Sequence, residues 1–261
     1  MSCGLHHVGG VTLADNQDRF DMLVAERAKH RYMGLETEII GPEEIAKIAP
    51  VTNIDGIIGG LYDPLDGHLD PSGTTHAYAK AARLGGAHIE THCKVLSTTQ
   101  RADGTWDLMT DKGAVHAEHI VNAAGLWARE VGHMQGINLP VQPMEHHYLL
   151  TERIDAVANW GSRLPCGIDY EANIYFRQER DGMLLGTYEQ TGTPWKVGGT
   201  PWDFGHELLN PNLDQIADRL EPAFERVREA GLCFLRGRRP KSRLERLRGV
   251  AAALPQSGIG G

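Results

Sequence analysis

The chain has 261 residues, of which 41% are hydrophobic and 23% are charged, and its formal net charge is −8. This composition is typical of a globular protein that buries a substantial core, as one large domain or two small ones. No apolar run approaches the ~20 residues that span a bilayer, and no secretory or transit segment is visible. The four cysteines are scattered without a Cys-x-x-Cys pair, which indicates free thiols in a reducing compartment.

Basic residues are concentrated near the carboxyl terminus. From Cys233 to Gly261 there are seven basic residues and one acidic residue, a net charge of +6 that leaves −14 for the rest. A basic stretch such as residues 236–248 can bind nucleic acid or an anionic membrane. We instead interpret residues 232–261 as a non-native or disordered tail, and we expect neither nucleic acid nor membrane as a partner.

The first third of the chain predicts short strands alternating with helices. The predicted strands are Val8–Leu13, Glu36–Ile40 and Ile57–Tyr62, and the predicted helices are Gln17–Met33 and Pro42–Ile48. Asp70 followed by Pro71 predicts the start of a further helix, which ends at Gly85. Asp66 and His68 precede this helix; we assign them to turn and capping chemistry, with catalysis as the alternative.

The middle of the chain predicts a hairpin and then a strand that passes into a helix. Ala87–Thr91 is predicted as a strand, Cys93–Leu96 as extended chain, and Thr105–Ala117 as a hairpin around Asp111-Lys112-Gly113. The β-branched run that begins at His119 is predicted as a buried strand, and a helix is predicted to follow from Leu126.

The small residues between that strand and helix are Ala123, Ala124 and Gly125. They would let the backbone approach a bulky ligand, and the first N–H groups of the helix would favour a phosphate. A tight strand–helix junction packed against a neighbouring element explains the same residues. Both interpretations are compatible with the spacing.

Later segments predict three more strands and an amphipathic helix. The strand Met144–Thr151 places His146 and Tyr148 on one face and His147 and Leu149 on the other. Two further strands, at 173–177 and 183–187, are joined by a turn at 181–182, and a helix at 213–229 contains a proline at 222.

The thirteen histidines raise the question of a metal site. Several ligand-type residues lie close together in sequence, namely His88, His92, Cys93, His116 and His119. Their spacing matches no known metal motif, so no metal is expected. The sequence also has no nucleophile elbow, Walker-type loop or His-Glu-x-x-His motif, and hydrolase or phosphoryl-transfer chemistry therefore has no support.

Several segments, in the same order, resemble the dimethylglycine dehydrogenase and sarcosine dehydrogenase family of FAD-dependent amine oxidoreductases. They are Asp66–Pro71, Val121–Gly132, Pro143–Tyr148, Tyr175–Gly182 and Trp202–Gly205. The resemblance extends from about Gly4 to Gly231. It implies an α/β (α+β) fold, the middle portion of a D-amino-acid-oxidase-type domain without the Gly-x-Gly-x-x-Gly βαβ unit that binds the FAD pyrophosphate.

The resemblance also implies a division into domains. Residues of about 54–140 would belong to the flavin domain, and residues of about 8–53 and 141–231 to the substrate domain. Tetrahydrofolate would be a cofactor only with a carboxyl-terminal domain that this sequence does not contain. Since the Gly-x-Gly-x-x-Gly motif is missing from the sequence, we expect the isolated chain to bind FAD weakly or not at all.

The resemblance to the family motifs implies two sets of site residues in this chain. The residues expected to contact FAD are Val95, Asn122, Ala123, Ala124, Gly125 and Trp127. The main chain of Val95 would hold the adenine, although a core strand is an equally good account of that residue. The residues expected to act on the substrate are His146 and Tyr175 as catalytic groups and Arg177 and Tyr148 as binding groups.

These residue types suit the chemistry that the family performs. A histidine or tyrosine can deprotonate or orient an amine, and an arginine can form a bidentate pair with a carboxylate. A hydrogen-bonded strand residue beside the core is the alternative for each.

The implied function, in one-carbon metabolism, is FAD-dependent oxidation of an N-methylated glycine-type amine by hydride transfer, with the isolated chain inactive. The alternative is a non-catalytic or regulatory homologue. The expected compartment is the cytoplasm, with the mitochondrial matrix as the alternative.

Overall fold

The computed structural model describes residues 3–205 and 207–227, together with the backbone of one strand, Ala251–Gln256. The predicted basic tail at 232–261 lies outside the described residues, apart from that strand. The chain divides into two compact units. The first contains Met1–His76, His146–Thr191 and Leu209–Ala253, and the second contains Ala77–Glu145, Gly192–Leu208 and Leu254–Gly261.

The strands in the described part of the chain form three sheets. They are β1 (His6–His7), β2 (Gly10–Ala14), β3 (Glu38–Ile40), β4 (Gly59–Asp63), β5 (Gly67–His68), β6 (Val95–Gln100), β7 (Trp106–Thr110), β8 (Gly113–Ala117), β9 (Met144–Leu150), β10 (Cys166–Asp169), β11 (Ile174–Glu179), β12 (Gly182–Thr187) and β13 (Ala251–Gln256). The large sheet has the order β13-β9-β12-β11-β10-β2-β4-β3. Within it β10 and β2 are parallel, whereas β9, β12, β11 and β10 pair antiparallel in succession. The architecture is therefore mixed α/β with a mixed sheet.

Local sequence signals account for the helices. They are α1 (Gln17–Tyr32), α2 (Pro42–Ile48), α3 (Pro71–Leu84), α4 (Ala128–His133), α5 (Asp155–Ala158) and α6 (Leu213–Arg226). The side chain of Asn16 caps α1 by accepting from the N–H of Arg19, and the carboxylate of Asp70 caps α3 by accepting from the N–H of Gly73 (2.6 Å). The predicted start of α3 is confirmed. None of the described helices is long and apolar enough to cross a membrane.

The core of the first unit lies between the large sheet and α6. One sheet face contributes Leu13, Leu149, Ile174, Phe176 and Leu185, all at most 2% exposed. Helix α6 adds buried residues at helical spacing, Leu213, Ile216, Leu220 and Ala223. The opposite sheet face thus carries the alternate residues of the same strands.

The second unit contains the antiparallel sheet β6-β7-β8. The predicted hairpin is confirmed as β7 and β8, which pair from Trp106 opposite Ala117 to Thr110 opposite Gly113. A short 3₁₀ turn, Gly125–Trp127, runs directly into α4.

Two predicted strands of the second unit are wrong. Neither Ala87–Thr91 nor the run from His119 to Ala123 is a strand, and Val121 is 86% exposed. A strand needs a neighbouring strand to accept and donate its main-chain hydrogen bonds. No described strand pairs with either segment, so their β-branched composition does not produce a sheet.

Candidate functional site

The large sheet brings the predicted substrate residues onto one face. Tyr175 of β11 lies opposite Gly186 of β12, which lies opposite Tyr148 of β9. Residues directly opposite on antiparallel strands point to the same side of the sheet. A Cβ at Gly186 would overlap the phenol ring of Tyr175. This glycine therefore makes room for the ring that lies over it.

His146 belongs to an aromatic cluster on this face. Its ring centroid is 6.3 Å from that of Tyr175 and 5.5 Å from that of Tyr188, and the two tyrosine rings are 5.5 Å apart. His146 and Tyr148 alternate with the buried His147 and Leu149, as the sequence predicts. The structure thus brings both predicted catalytic residues together and adds Tyr188 to them.

The carboxylate of Glu189 joins two adjacent histidines. Its Oε2 lies 2.9 Å from Nδ1 of His146, and its Oε1 lies 3.0 Å from Nδ1 of His147 and accepts from the His147 backbone N–H at 3.1 Å. The side chains of Glu189, His146 and His147 are 5%, 14% and 0% exposed. No group of three or more His, Cys, Asp or Glu in the described part of the chain is arranged to hold a metal ion.

The hydrogen bonds decide the charge of Glu189. Burial raises the pKa of this carboxyl, but the bonds from His146, His147 and the backbone outweigh burial and lower the pKa from its ordinary 4.5 to about 2. Glu189 is therefore a carboxylate at neutral pH. It accepts hydrogen bonds and cannot donate them.

This lowered pKa predicts a specific acid sensitivity of the fold. Because the folded pKa lies below the unfolded one, the charge of Glu189 contributes stability above about pH 4.5, and this contribution is lost as the pH falls toward 2. Glu189→Gln has no carboxyl to titrate. Urea unfolding of both proteins at several pH values should show the wild-type advantage shrinking across this window; an unchanged difference would contradict the pKa shift.

The phenol of Tyr175 stays protonated over the physiological range. Burial, followed by the proximity of Tyr188, raises the pKa of Tyr175 to about 12, and the positive charge of Arg177 only partly opposes this. Arg177 lies two residues further along β11, on the same face. Its Nη1 donates to Oε2 of Glu179 (2.6 Å) and to the carbonyl of Gln178 (3.2 Å). The site therefore offers a neutral donor beside a cation.

The predicted FAD-contacting turn of the second unit is held by its own side chains. The Asn122 amide accepts from the N–H of Ala124 (3.2 Å) and donates to the carbonyl of Ala128 (2.9 Å). The indole N–H of Trp127 donates to the carbonyl of Pro201 (2.9 Å). The polar groups of Asn122 and Trp127 thus hold the turn in place. The parts of the turn that remain open to a ligand are its backbone and the indole ring of Trp127.

Open space surrounds the smallest residues of this turn. Gly125 has φ of 53°, and a Cβ added there would meet nothing within 4 Å. Ala123 and Gly125 are exposed and Ala124 is half-buried. The residues of the turn are therefore not packed tightly against a neighbouring element, and their contact with FAD stays a prediction.

Val95 begins the edge strand β6 of the small sheet. It pairs with Thr110 on one side, and the register with β7 shifts between Val95 and Ser97. Such irregularities at a sheet edge release main-chain groups from the ladder. The position is compatible with a main-chain contact to a ligand.

A comparison with protein families identifies the chain. The model of the DAO family, described as FAD dependent oxidoreductase, matches residues 1–254. The chain belongs to this family of FAD-dependent oxidoreductases. The resemblance and the DAO-type α/β fold predicted from the sequence are thereby confirmed.

Two similar relatives of this DAO chain are amine dehydrogenases. Mitochondrial dimethylglycine dehydrogenase of Mus musculus is 42% identical over 229 residues, which are 86% of this chain and 26% of that protein. Mitochondrial sarcosine dehydrogenase of Mus musculus is 31% identical over 224 residues, 84% of this chain and 24% of that protein. The chain thus spans about a quarter of the length of these relatives.

A solved structure shares the fold. L-Proline dehydrogenase from P. horikoshii superposes with a TM-score of 0.70 at 22% identity, over 86% of this chain and 57% of that chain. At this identity the match concerns the DAO fold alone.

Sequence reasoning did not predict Tyr188 and Glu189, the two further residues that contact His146. Both follow directly after β12, just beyond the predicted strand 183–187. The only local signal is that Tyr188 continues the strand alternation of Leu184 and Gly186. Nothing local indicates that Glu189 meets histidines more than 40 residues away.

Proposed function

We propose that this chain provides the substrate-oxidising part of an FAD-dependent dehydrogenase that acts on N-methylated glycine-type amines, dimethylglycine or sarcosine. The observation that carries the proposal is that His146 and Tyr175 lie together on one sheet face, with Glu189 bonded to His146. It occurs in a DAO-family chain 42% identical to a protein named dimethylglycine dehydrogenase.

The residues of the cluster match what such an amine requires. FAD, when bound, supplies an acceptor for the hydride of an N-methyl carbon, leaving an iminium that water hydrolyses to formaldehyde. The amine must be neutral for this, and Nε2 of His146 can take the ammonium proton. Tyr175, with its pKa raised to about 12, can orient the nitrogen lone pair as a neutral donor, and Tyr148 extends the same polar surface.

The glycine-type carboxylate needs a cationic partner, for which we propose Arg177. Its Nη1 contacts Glu179, and the second edge of a guanidinium can form a further pair with a carboxylate. FAD would be held by the main chain of Val95 and by the open turn of Asn122, Ala123, Ala124 and Gly125 with Trp127.

Anaerobic mixing of the protein with saturating FAD and then with amine tests the function. Saturating FAD offsets the weak FAD binding for which the isolated chain is expected to be inactive, so under these conditions we expect dimethylglycine and sarcosine to bleach the oxidised-flavin absorbance and to yield formaldehyde. Trimethylglycine is the matched control, because its quaternary nitrogen has no lone pair. Equal bleaching by trimethylglycine would contradict the mechanism, and no bleaching by any amine would favour the non-catalytic or regulatory alternative. A titration with FAD alone measures whether the isolated chain binds FAD weakly, as the sequence predicts.

The proposed partner is thus a small amine, and the proposed compartment is a reducing one. The names of both amine dehydrogenase relatives include the word mitochondrial, which supports the mitochondrial matrix over the cytoplasm for this chain. Fractionation of cells that express a tagged protein would separate the two compartments.

A further inference from the structure

We infer that Glu189 is a positioning residue, which holds His146 in the tautomer with a proton on Nδ1 so that Nε2 is the nitrogen left for the substrate. The inference rests on the proposed function only in the role it gives to Nε2. The assignment of the tautomer rests on contacts within the first unit.

The first contact concerns the second histidine of the cluster. The backbone N–H of Asn212 donates to Nε2 of His147 at 3.3 Å. A backbone N–H can only donate, so Nε2 carries the lone pair and the proton of the neutral ring is on Nδ1. His147 therefore donates from Nδ1 to Oε1 of Glu189.

The second contact concerns His146. An ionised carboxylate has only acceptor sites, and Oε1 of Glu189 already accepts two bonds from His147. Oε2 must accept from Nδ1 of His146. No hydrogen bond joins Nε2 of His146 to any residue that the structure describes. The neighbouring rings of Tyr175 and Tyr188 lie at stacking distances from His146.

The two histidines differ, because the backbone N–H of Asn212 fixes the tautomer of His147 and no such bond from the described part of the chain fixes that of His146. One substitution of Glu189 should therefore change His146 and leave His147 as it is. In Glu189→Gln the side chain has one acceptor oxygen and one NH₂ donor group. The oxygen is required by His147, whose Nδ1–H and backbone N–H both need it while Asn212 occupies Nε2. The NH₂ group then faces His146, whose Nδ1 must become an acceptor. The proton of His146 moves to Nε2, and the ring loses the lone pair that the substrate would use.

The test is long-range ¹H–¹⁵N correlation spectroscopy of the full chain labelled with ¹⁵N-histidine, without FAD or amine. We expect wild-type His146 and His147 both to carry the proton on Nδ1 at neutral pH. In Glu189→Gln we expect His146 alone to change to the Nε2–H tautomer. His147→Gln is the matched control: it removes the second imidazole, keeps a donor toward Glu189, and should leave His146 with the proton on Nδ1.

An Nε2–H tautomer for wild-type His146 would overturn the inference, and so would an unchanged His146 in a folded Glu189→Gln protein. If the Glu189→Gln protein does not fold, the tautomer of His146 in the wild-type spectrum still supports or overturns the assignment. In the loaded enzyme we expect Glu189→Gln to lower kcat by up to about 10⁴-fold, the cost of a wrong tautomer next to a serine protease nucleophile. If the spectra are as expected but the FAD-loaded protein oxidises no amine, the proposed function is rejected and the tautomer assignment still holds.

Discussion

Replacing His146 by alanine is expected to lower kcat/KM for dimethylglycine by about 10²–10⁴-fold, the usual loss when a general base is removed. His146 is the histidine of the cluster with an unpaired ring nitrogen among the described residues, and it is bordered by the neutral phenol of Tyr175. Steady-state kinetics of the FAD-loaded protein would measure the effect. Part of the activity should return at higher pH, where more of the amine is already deprotonated.

The control for this prediction is His88→Ala. His88 is an exposed imidazole that pairs with Glu90 on the surface of the second unit, and its removal should leave kcat/KM unchanged. A His146→Ala protein that is folded and retains wild-type kcat/KM would show that His146 is a structural strand residue, as the alternative interpretation of the sequence holds.

Replacing Asp169 by alanine is expected to lower the free energy of unfolding by about 3–5 kcal/mol, the cost of leaving one half of a buried ion pair without its partner. Asp169 ends β10, and its Oδ2 accepts from Nε of Arg226 at 2.7 Å. The side chains of Asp169 and Arg226 are 3% and 12% exposed. Oδ1 also accepts from the N–H of Ala172 (3.0 Å). Equilibrium unfolding in urea would measure the loss.

Glu171→Ala is the matched control for Asp169→Ala. Glu171 lies two residues further along the chain and pairs with Arg19 at 2.8 Å, but the two side chains are 44% and 24% exposed. Solvent screens such a pair, so its removal should cost about 0–1 kcal/mol. Similar losses for the two variants would contradict the importance of burial for the Asp169–Arg226 pair.

Signals within a few residues predict much of the fold. The cap at Asp70 places the start of α3, and the alternation around His146 gives the correct faces of β9. These features depend on hydrogen bonds and side-chain directions within one or two turns of the chain. The strand expected from His119 fails because a strand is stable only with a partner, and local composition contains no information about the partner.

The same difference between local signals and long-range contacts applies to the candidate site. The motifs around His146 and Tyr175 point to an FAD-dependent amine oxidoreductase without any knowledge of the fold, since they lie in short contiguous segments. Glu189 lies 43 residues from His146 in sequence, and only the pairing of β9 with β12 brings the two together.

The sequence by itself determined the family, the capped start of α3 and the residue types of the candidate site, because each is encoded by neighbouring residues. The tertiary structure alone decided which segments have strand partners, which carboxylate binds both histidines and which ring nitrogen of His146 faces that carboxylate. These depend on hydrogen bonds between residues distant in the chain, and the donors and acceptors of such bonds are paired only when the sheet forms.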